Sequence, residues 1–218
     1  MPFNHTQLSD IPQILSAPRF ATYLQYCGND REGALNLYQW NLKISSAFMV
    51  PLHVLEVSVR NAVVERLEEV HTSNWPWNQG FIRGLPNPTY PAYNPQKNLK
   101  NVASRQPTMG KVVADLKFVF WEKMFTQKHD VKVWDGHIHR LFPNAPAMPN
   151  RDLRKQIHDN ISCVRELRNR IAHHEPIFSR DLQNDYNKMF QLISWRNLIT
   201  ADWMDSLQGV QALLVARP

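Results

Sequence analysis

Residues 31–71, REGALNLYQWNLKISSAFMVPLHVLEVSVRNAVVERLEEVH, decide the fold class. Leu35, Leu42, Phe48, Leu52, Leu55, Val59, Val63 and Leu67 recur mostly at three- and four-residue steps, which sets them along one face of a helix. The stripe predicts a long amphipathic helix, kinked at Pro51, because proline has no amide proton to donate and crowds the carbonyl four residues back. Upstream, Ser9 or Asp10 and then Ser16-Ala17-Pro18 mark the starts of one or two short helices.

Downstream the pattern breaks and returns. Between residues 72 and 108, Trp75-Pro76-Trp77 is followed by Pro86, Pro88, Pro91 and Pro95 among Asn, Tyr and Gly, which predicts an irregular insertion. Its aromatics Trp75, Trp77, Tyr90 and Tyr93 are expected to pin it to the bundle, with base stacking beside Lys97, Lys100 and Arg105 as the other use of such rings. Helical spacing resumes from about Gly110 to Lys128 and from Val131 to Phe142. Asn150 is the expected cap of a helix running to about His174, on which Ile157, Ile161, Val164, Leu167 and Ile171 form the buried stripe. Ser179 is the expected cap of the next helix, to Trp195, and Leu198 to Val215 forms the last. No strand pattern or repeat occurs, so the expected fold is an all-α bundle in a single domain spanning 1–218.

The composition suits such a fold. With 218 residues, 43% of them hydrophobic, the chain can bury one substantial core. The net charge of +6 suits a polyanionic partner, although 25 basic against 19 acidic residues is a mild excess. Cys27 and Cys163 are isolated, with no signal-peptide core, which points to a reducing cytoplasm. Charged side chains interrupt every apolar run, so no membrane span is expected. The Gly-x-x-x-x-Gly-Lys-Ser/Thr loop, the Gly-x-Ser-x-Gly elbow and the Gly-x-Gly-x-x-Gly turn are all absent from the sequence, which argues against nucleotide hydrolysis, serine esterase chemistry and dinucleotide binding. His137-Ile138-His139, with His129, Asp130 and Asp135, lacks metal-ligand spacing, and no metal or cofactor is expected.

Chemistry concentrates in Arg168-Asn169-Arg170-Ile171-Ala172-His173, followed by His174-Glu175-Pro176. The arginine fork matches phosphate oxygens at any physiological pH, and histidine carries a proton on or off near neutrality. On a regular helix Arg168 and His173 stand about 7.5 Å apart along the axis and roughly 140° around it, so one undistorted helix does not aim both at one phosphorus. Either the helix loosens before Pro176, or a second protomer brings its own motif alongside, which makes a two-fold dimer the expected catalytic unit. The structural alternative is a salt bridge between Arg168 and a carboxylate such as Glu56, with His173, His174 and Glu175 simply ending the helix.

Arg168-Asn169 followed three residues on by His173 resembles the R-N-x-x-x-H signature of the HEPN superfamily of helical ribonucleases. Leu37-Tyr38-Gln39-Trp40-Asn41, Pro51 to Ala62, Gly110 to Leu116, Phe120-Trp121, Trp134 and Leu141-Phe142-Pro143-Asn144 resemble the bacterial Abi-like (abortive infection) family, over residues from about 30 to about 200. The resemblance implies an all-α, HEPN-like bundle acting as a dimeric toxin-type endoribonuclease in phage defence or toxin–antitoxin systems. It implies RNA as the substrate, a composite active site, and restraint by a cognate antitoxin protein or regulatory RNA. Arg168, Asn169 and His173 are then the catalytic candidates, and Arg165, Arg170, His174, Glu56, Arg60 and Asn61 the supporting ones. In the reaction expected, the RNA 2′-hydroxyl attacks its own phosphorus while His173 moves a proton and Arg168 holds the developing charge. A catalytically silent RNA- or partner-binding module is the alternative, and a scaffold that binds no nucleic acid is a third.

Overall fold

The computed structural model describes residues 3–218, and among these it contains thirteen α-helices and no strand. The stripe over residues 31–71 forms two helices, α3 (Arg31–Ala47) and α4 (Met49–His71), joined through the buried Phe48. Pro51 is the cause: it lies in the first turn of α4 and has no proton for the Ala47 carbonyl, so the chain bends there. Within this stretch one window has a mean hydropathy of 1.4, enough by length and apolarity for a membrane span, with 33% of it buried. From the sequence, with charged side chains breaking every apolar run, no membrane span is expected. The stretch bends at Phe48, and Leu37, Ile44, Leu55, Val59, Val63 and Leu67 from its two helices sit in the core.

Ahead of these lie α1 (His5–Ile14) and α2 (Ala17–Tyr26). Asn4, rather than Ser9 or Asp10, starts α1, through a reciprocal capping box with Gln7. The 72–108 segment is more ordered than its prolines and turn residues suggested. It carries a 3₁₀ turn over Trp75–Trp77, then α5 (Gln79–Gly84) and α6 (Pro95–Ala103). Pro95 opens a helix here, behind the Asn94 side chain that caps Lys97 N–H. Trp75 is fully buried, and the Trp77 indole donates to the Ala103 carbonyl at 2.9 Å, so both rings pin the segment to the bundle. Tyr93 donates to Asn98 at 2.7 Å, whereas Tyr90 is 96% exposed.

Residues 110–128 divide into α7 (Met109–Asp115) and α8 (Phe118–Met124), with extended backbone at Leu116 and Lys117. Residues 131–142 hold a π-helical turn over Asp130–Trp134 and the short α9 (Ile138–Leu141). The motif helix is α10 (Asn150–Ala172), followed by α11 (Leu182–Arg196), α12 (Leu198–Leu207) and α13 (Val210–Val215). Asn150 is the first residue of α10 and makes no cap, and Asp181, not Ser179, caps α11 through Asn184 N–H. α4 and α10 pack mainly on α8 and α11 rather than on each other, which leaves the space between them open at one end.

His129 is 7% exposed, beside Lys128. Burial first, and then the Lys128 charge, hold its imidazole well below the ordinary 6.5, at about 4, with Asp130 opposing. The unfolded chain therefore binds a proton between these two pH values that the folded chain refuses. Stability is full above pH 6.5 and falls as pH drops toward 4, by about 3 kcal/mol from this group. Urea unfolding across that range is expected to show a steeper loss in the wild type than in His129→Leu; equal slopes would contradict the assignment.

Candidate functional site

The open end between α4 and α10 is a groove of about 330 Å³, lined by Met49, Leu52, His53, Glu56, Val57 and Arg60 from α4 and by Arg168, Ile171 and Ala172 from α10. Glu56 and Arg60 face it together because residues four apart share a helix side. Among the described residues, neither Glu56 nor Arg168 has an ion-pair partner within 4.0 Å, so the salt bridge that would have explained Arg168 structurally is not formed. Arg60 Nε is buried without a hydrogen-bond partner. Two guanidinium groups and one carboxylate thus line a single groove without being consumed by one another.

Arg168 also lines a second groove, of about 440 Å³, on the other side of α10, with Tyr93, Lys117, Phe118, Val119, Arg165 and Asn169. Arg165 is committed there: its Nε donates to Glu122, a carboxylate 1% exposed that also holds Lys123 at 3.0 Å. A buried carboxylate left alone is costly, so Arg165 neutralises Glu122 before it can serve a ligand. Glu122 was missed from the sequence, where the signal is one acidic residue directly after the aromatic run Phe118-Val119-Phe120-Trp121. Lys117 was missed as well; it is exposed at the N-terminus of α8, without an ion-pair partner among the described residues.

The rest of the motif closes the helix. His173 is the C-cap, exposed, and lines neither groove. His174 follows at φ +56°, in the left-handed region. The Glu175 N–H donates to the Arg170 carbonyl at 2.8 Å and the His174 N–H to the Ile171 carbonyl at 3.0 Å, the two bonds of a Schellman turn. The apolar contact that often accompanies this turn is replaced by an ion pair of Arg170 with Glu175 at 3.4 Å, and Arg170 also donates to the Pro176 carbonyl at 3.3 Å. The Arg170 side chain is therefore occupied in shaping the helix end, while His174 contributes its backbone and leaves its imidazole exposed. Glycine at 174 accepts the left-handed backbone without the Cβ cost. His174→Gly is expected to add about 1 kcal/mol of stability and raise the Tm by about 2–4 °C, measured by thermal unfolding; a lower Tm would contradict this account of the turn.

A residue outside the motif fixes where the chain goes next. Asn41, buried on α3, accepts hydrogen bonds from the backbone N–H groups of Ile177 at 2.8 Å and Phe178 at 3.2 Å. It anchors the segment leaving His173 against the opposite side of the bundle.

Asn61 stands apart from both grooves. It lines a third space of about 650 Å³ between α4 and α12, with His53, Val57, Arg196 and Trp203. His53 and Val57 border this space and the 330 Å³ groove alike. Along α12, Leu198, Ile199, Trp203 and Leu207 are exposed, Ile199 by 79%, and Met49 is exposed at the start of α4. Scattered exposed apolar residues are ordinary, and here four lie on one helix beside an open groove. Against protein-family models, curated proteins and solved structures alike, the chain finds no match.

Proposed function

We propose that the chain is a metal-independent endoribonuclease, acting in the cytoplasm as an abortive-infection or toxin–antitoxin type toxin, as the resemblance of its Arg-Asn-x-x-x-His motif implies. The observation that carries this reading is Arg168, exposed between two grooves and unpaired among the described residues, with Arg60, Asn169 and Lys117 around it. A cation left open beside an amide and a second guanidinium suits a phosphodiester.

In this reading Arg168 holds the charge that develops on phosphorus, and His173 moves the proton of the 2′-hydroxyl or of the leaving oxygen. Asn169 orients the phosphate. Because His173 caps the helix end outside the grooves that Arg168 lines, the reading includes a homodimer, in which His173 of one protomer meets Arg168 of the other. The exposed apolar residues of α12, next to the grooves, support a second copy as the cover. Products with 2′,3′-cyclic phosphate and 5′-hydroxyl ends follow from attack by the 2′-hydroxyl, and DNA is inert.

A silent RNA- or partner-binding module is the second reading. It is favoured by the separation of His173 from Arg168 within one protomer and by the prior engagement of Arg165 and Arg170. Expression in cells separates the two. Wild type is expected to arrest growth and His173→Ala to be tolerated, whereas equal tolerance of both would favour the silent module.

A further inference from the structure

A second site lies at the other end of α4. A pocket of about 580 Å³ is formed by His71 at the last turn of α4, Gly80, Phe81, Arg83 and Gly84 of α5, and Lys128, His129, Lys132 and Val133. Residues 60 to 71, at 1.5 Å per residue, set it about 16 Å along the helix from the Arg168 groove at its nearest.

The lining is one-sided in charge. Arg83, Lys128 and Lys132 come from three different short elements, none has an ion-pair partner among the described residues, and no carboxylate lines the pocket. The nearby acid, Asp130, is already taken by Arg154 at 2.7 Å. Three like charges brought together repel, so the arrangement is relieved by an anion among them.

A second observation is independent of the charges. His129 is 7% exposed, lines this pocket, and its Nε2 is buried with no hydrogen-bond partner. Buried polar atoms are almost always satisfied, and an orphan costs about 1–3 kcal/mol. Nε2 is itself covered, so a ligand oxygen supplies the partner as the pocket wall shifts to admit it. The imidazole is held neutral by burial and by Lys128, and His71 is likewise lowered, first by burial and then by Lys132. In its Nε2–H tautomer, neutral His129 donates to an oxygen without adding another positive charge.

The scaffold beneath is firmly fixed. The π turn that carries Lys132 is held at Asp130 by Arg154, at the Val133 carbonyl by Arg66 Nε at 2.7 Å, and at the Trp134 indole by the Met124 carbonyl at 2.7 Å. Trp134 also stacks on Phe125, with centroids 4.4 Å apart. Single π turns in helical proteins often mark functional positions. Phe81, whose ring lies 5.1 Å from that of His71, adds an apolar wall.

We propose that this pocket binds a phosphomonoester carried by a small molecule, with the phosphate among Arg83, Lys128 and Lys132 and His129 Nε2 donating to one of its oxygens. The charge count favours a phosphate dianion over a monovalent carboxylate, and the volume and apolar wall suit a compact ligand rather than a length of polynucleotide.

The test is binding of inorganic phosphate, adenosine monophosphate and adenosine, by calorimetry and thermal shift in a non-phosphate buffer with ionic strength matched by chloride. Phosphate and the monophosphate are expected to bind and raise the Tm of wild type, and adenosine is not. The exposed pair Lys128→Ala/Lys132→Ala is expected to weaken binding about tenfold or more, while Arg168→Ala leaves it unchanged. Phosphate no better than chloride would overturn the proposal and leave the cations as a solvated offset to the negative end of α4. So would retention of binding in the double variant, its loss in Arg168→Ala, or adenosine binding without phosphate.

Discussion

His173→Ala is expected to lower RNA cleavage by about 10²–10⁴-fold with no loss of stability, because one positioned acid–base group contributes about that much and this side chain is exposed at a helix end. Arg168→Ala is expected to be comparably damaging, since removing a single donor to a developing oxyanion costs on the order of 10²–10³-fold. If each active site takes its arginine from one protomer and its histidine from the other, the two dead variants complement each other. Random mixing makes half of the dimers mixed, each with one intact site of two, so about a quarter of wild-type activity returns. Cleavage kinetics of the two variants, alone and mixed after unfolding and refolding together, read this directly. No recovery on mixing would place both groups in the same protomer and end the composite-site account.

Asn41→Ala is expected to cost about 2–4 kcal/mol, because it leaves the buried N–H groups of Ile177 and Phe178 without an acceptor. For a chain of this length that is a drop in Tm of about 5–15 °C. Asn41→Leu fills nearly the same space without an acceptor and is expected to lose about as much. Thermal and urea unfolding of the pair separates the hydrogen bonds from the packing: wild-type stability in Asn41→Leu would mean that the side chain acts by volume alone. The position matters to the site because the clamped backbone lies four residues beyond His173, so loosening it frees the helix end that presents the imidazole.

Local chemistry was legible in the sequence wherever a residue acts on its own neighbours. The stripe from Leu35 to Leu67, apart from Leu42, which is exposed, and the missing proton of Pro51 give α3, α4 and the bend between them. The stripe from Ile157 to Leu167 gives α10. Proline carries two opposite local meanings, which is why residues 72–108 read as irregular: Pro95 begins α6 behind an Asn cap, where a run of prolines suggested a loop. The break at Leu116 and Lys117 has neither Gly nor Pro to announce it. There the burial of Leu116, Phe118, Phe120 and Trp121 overrides a continuous helical pattern.

The candidate site divides in the same way. The types and order of Arg168, Asn169 and His173 were readable, and so was the use of His174 and Glu175 to end a helix, since those contacts span few residues. The engagement of Arg165 by Glu122 joins positions 43 residues apart. The clamp from Asn41 to Phe178 spans 137. No periodicity encodes such pairings, because they depend on which helices pack together. The pocket at Arg83, Lys128 and Lys132 was hidden for that reason: three surface cations from separate elements are unremarkable in the sequence until the fold brings them to one cavity.

The proposed function is RNA cleavage with Arg168 and His173 as the chain's own chemical groups. Its most direct test is incubation of purified wild type and His173→Ala with end-labelled RNA in excess EDTA, reading both the cleavage and the chemistry of the new ends. Cleavage by wild type alone, leaving 2′,3′-cyclic phosphate and 5′-hydroxyl ends, is the result predicted. Cleavage that survives in His173→Ala, or ends bearing a 5′-phosphate, would contradict it.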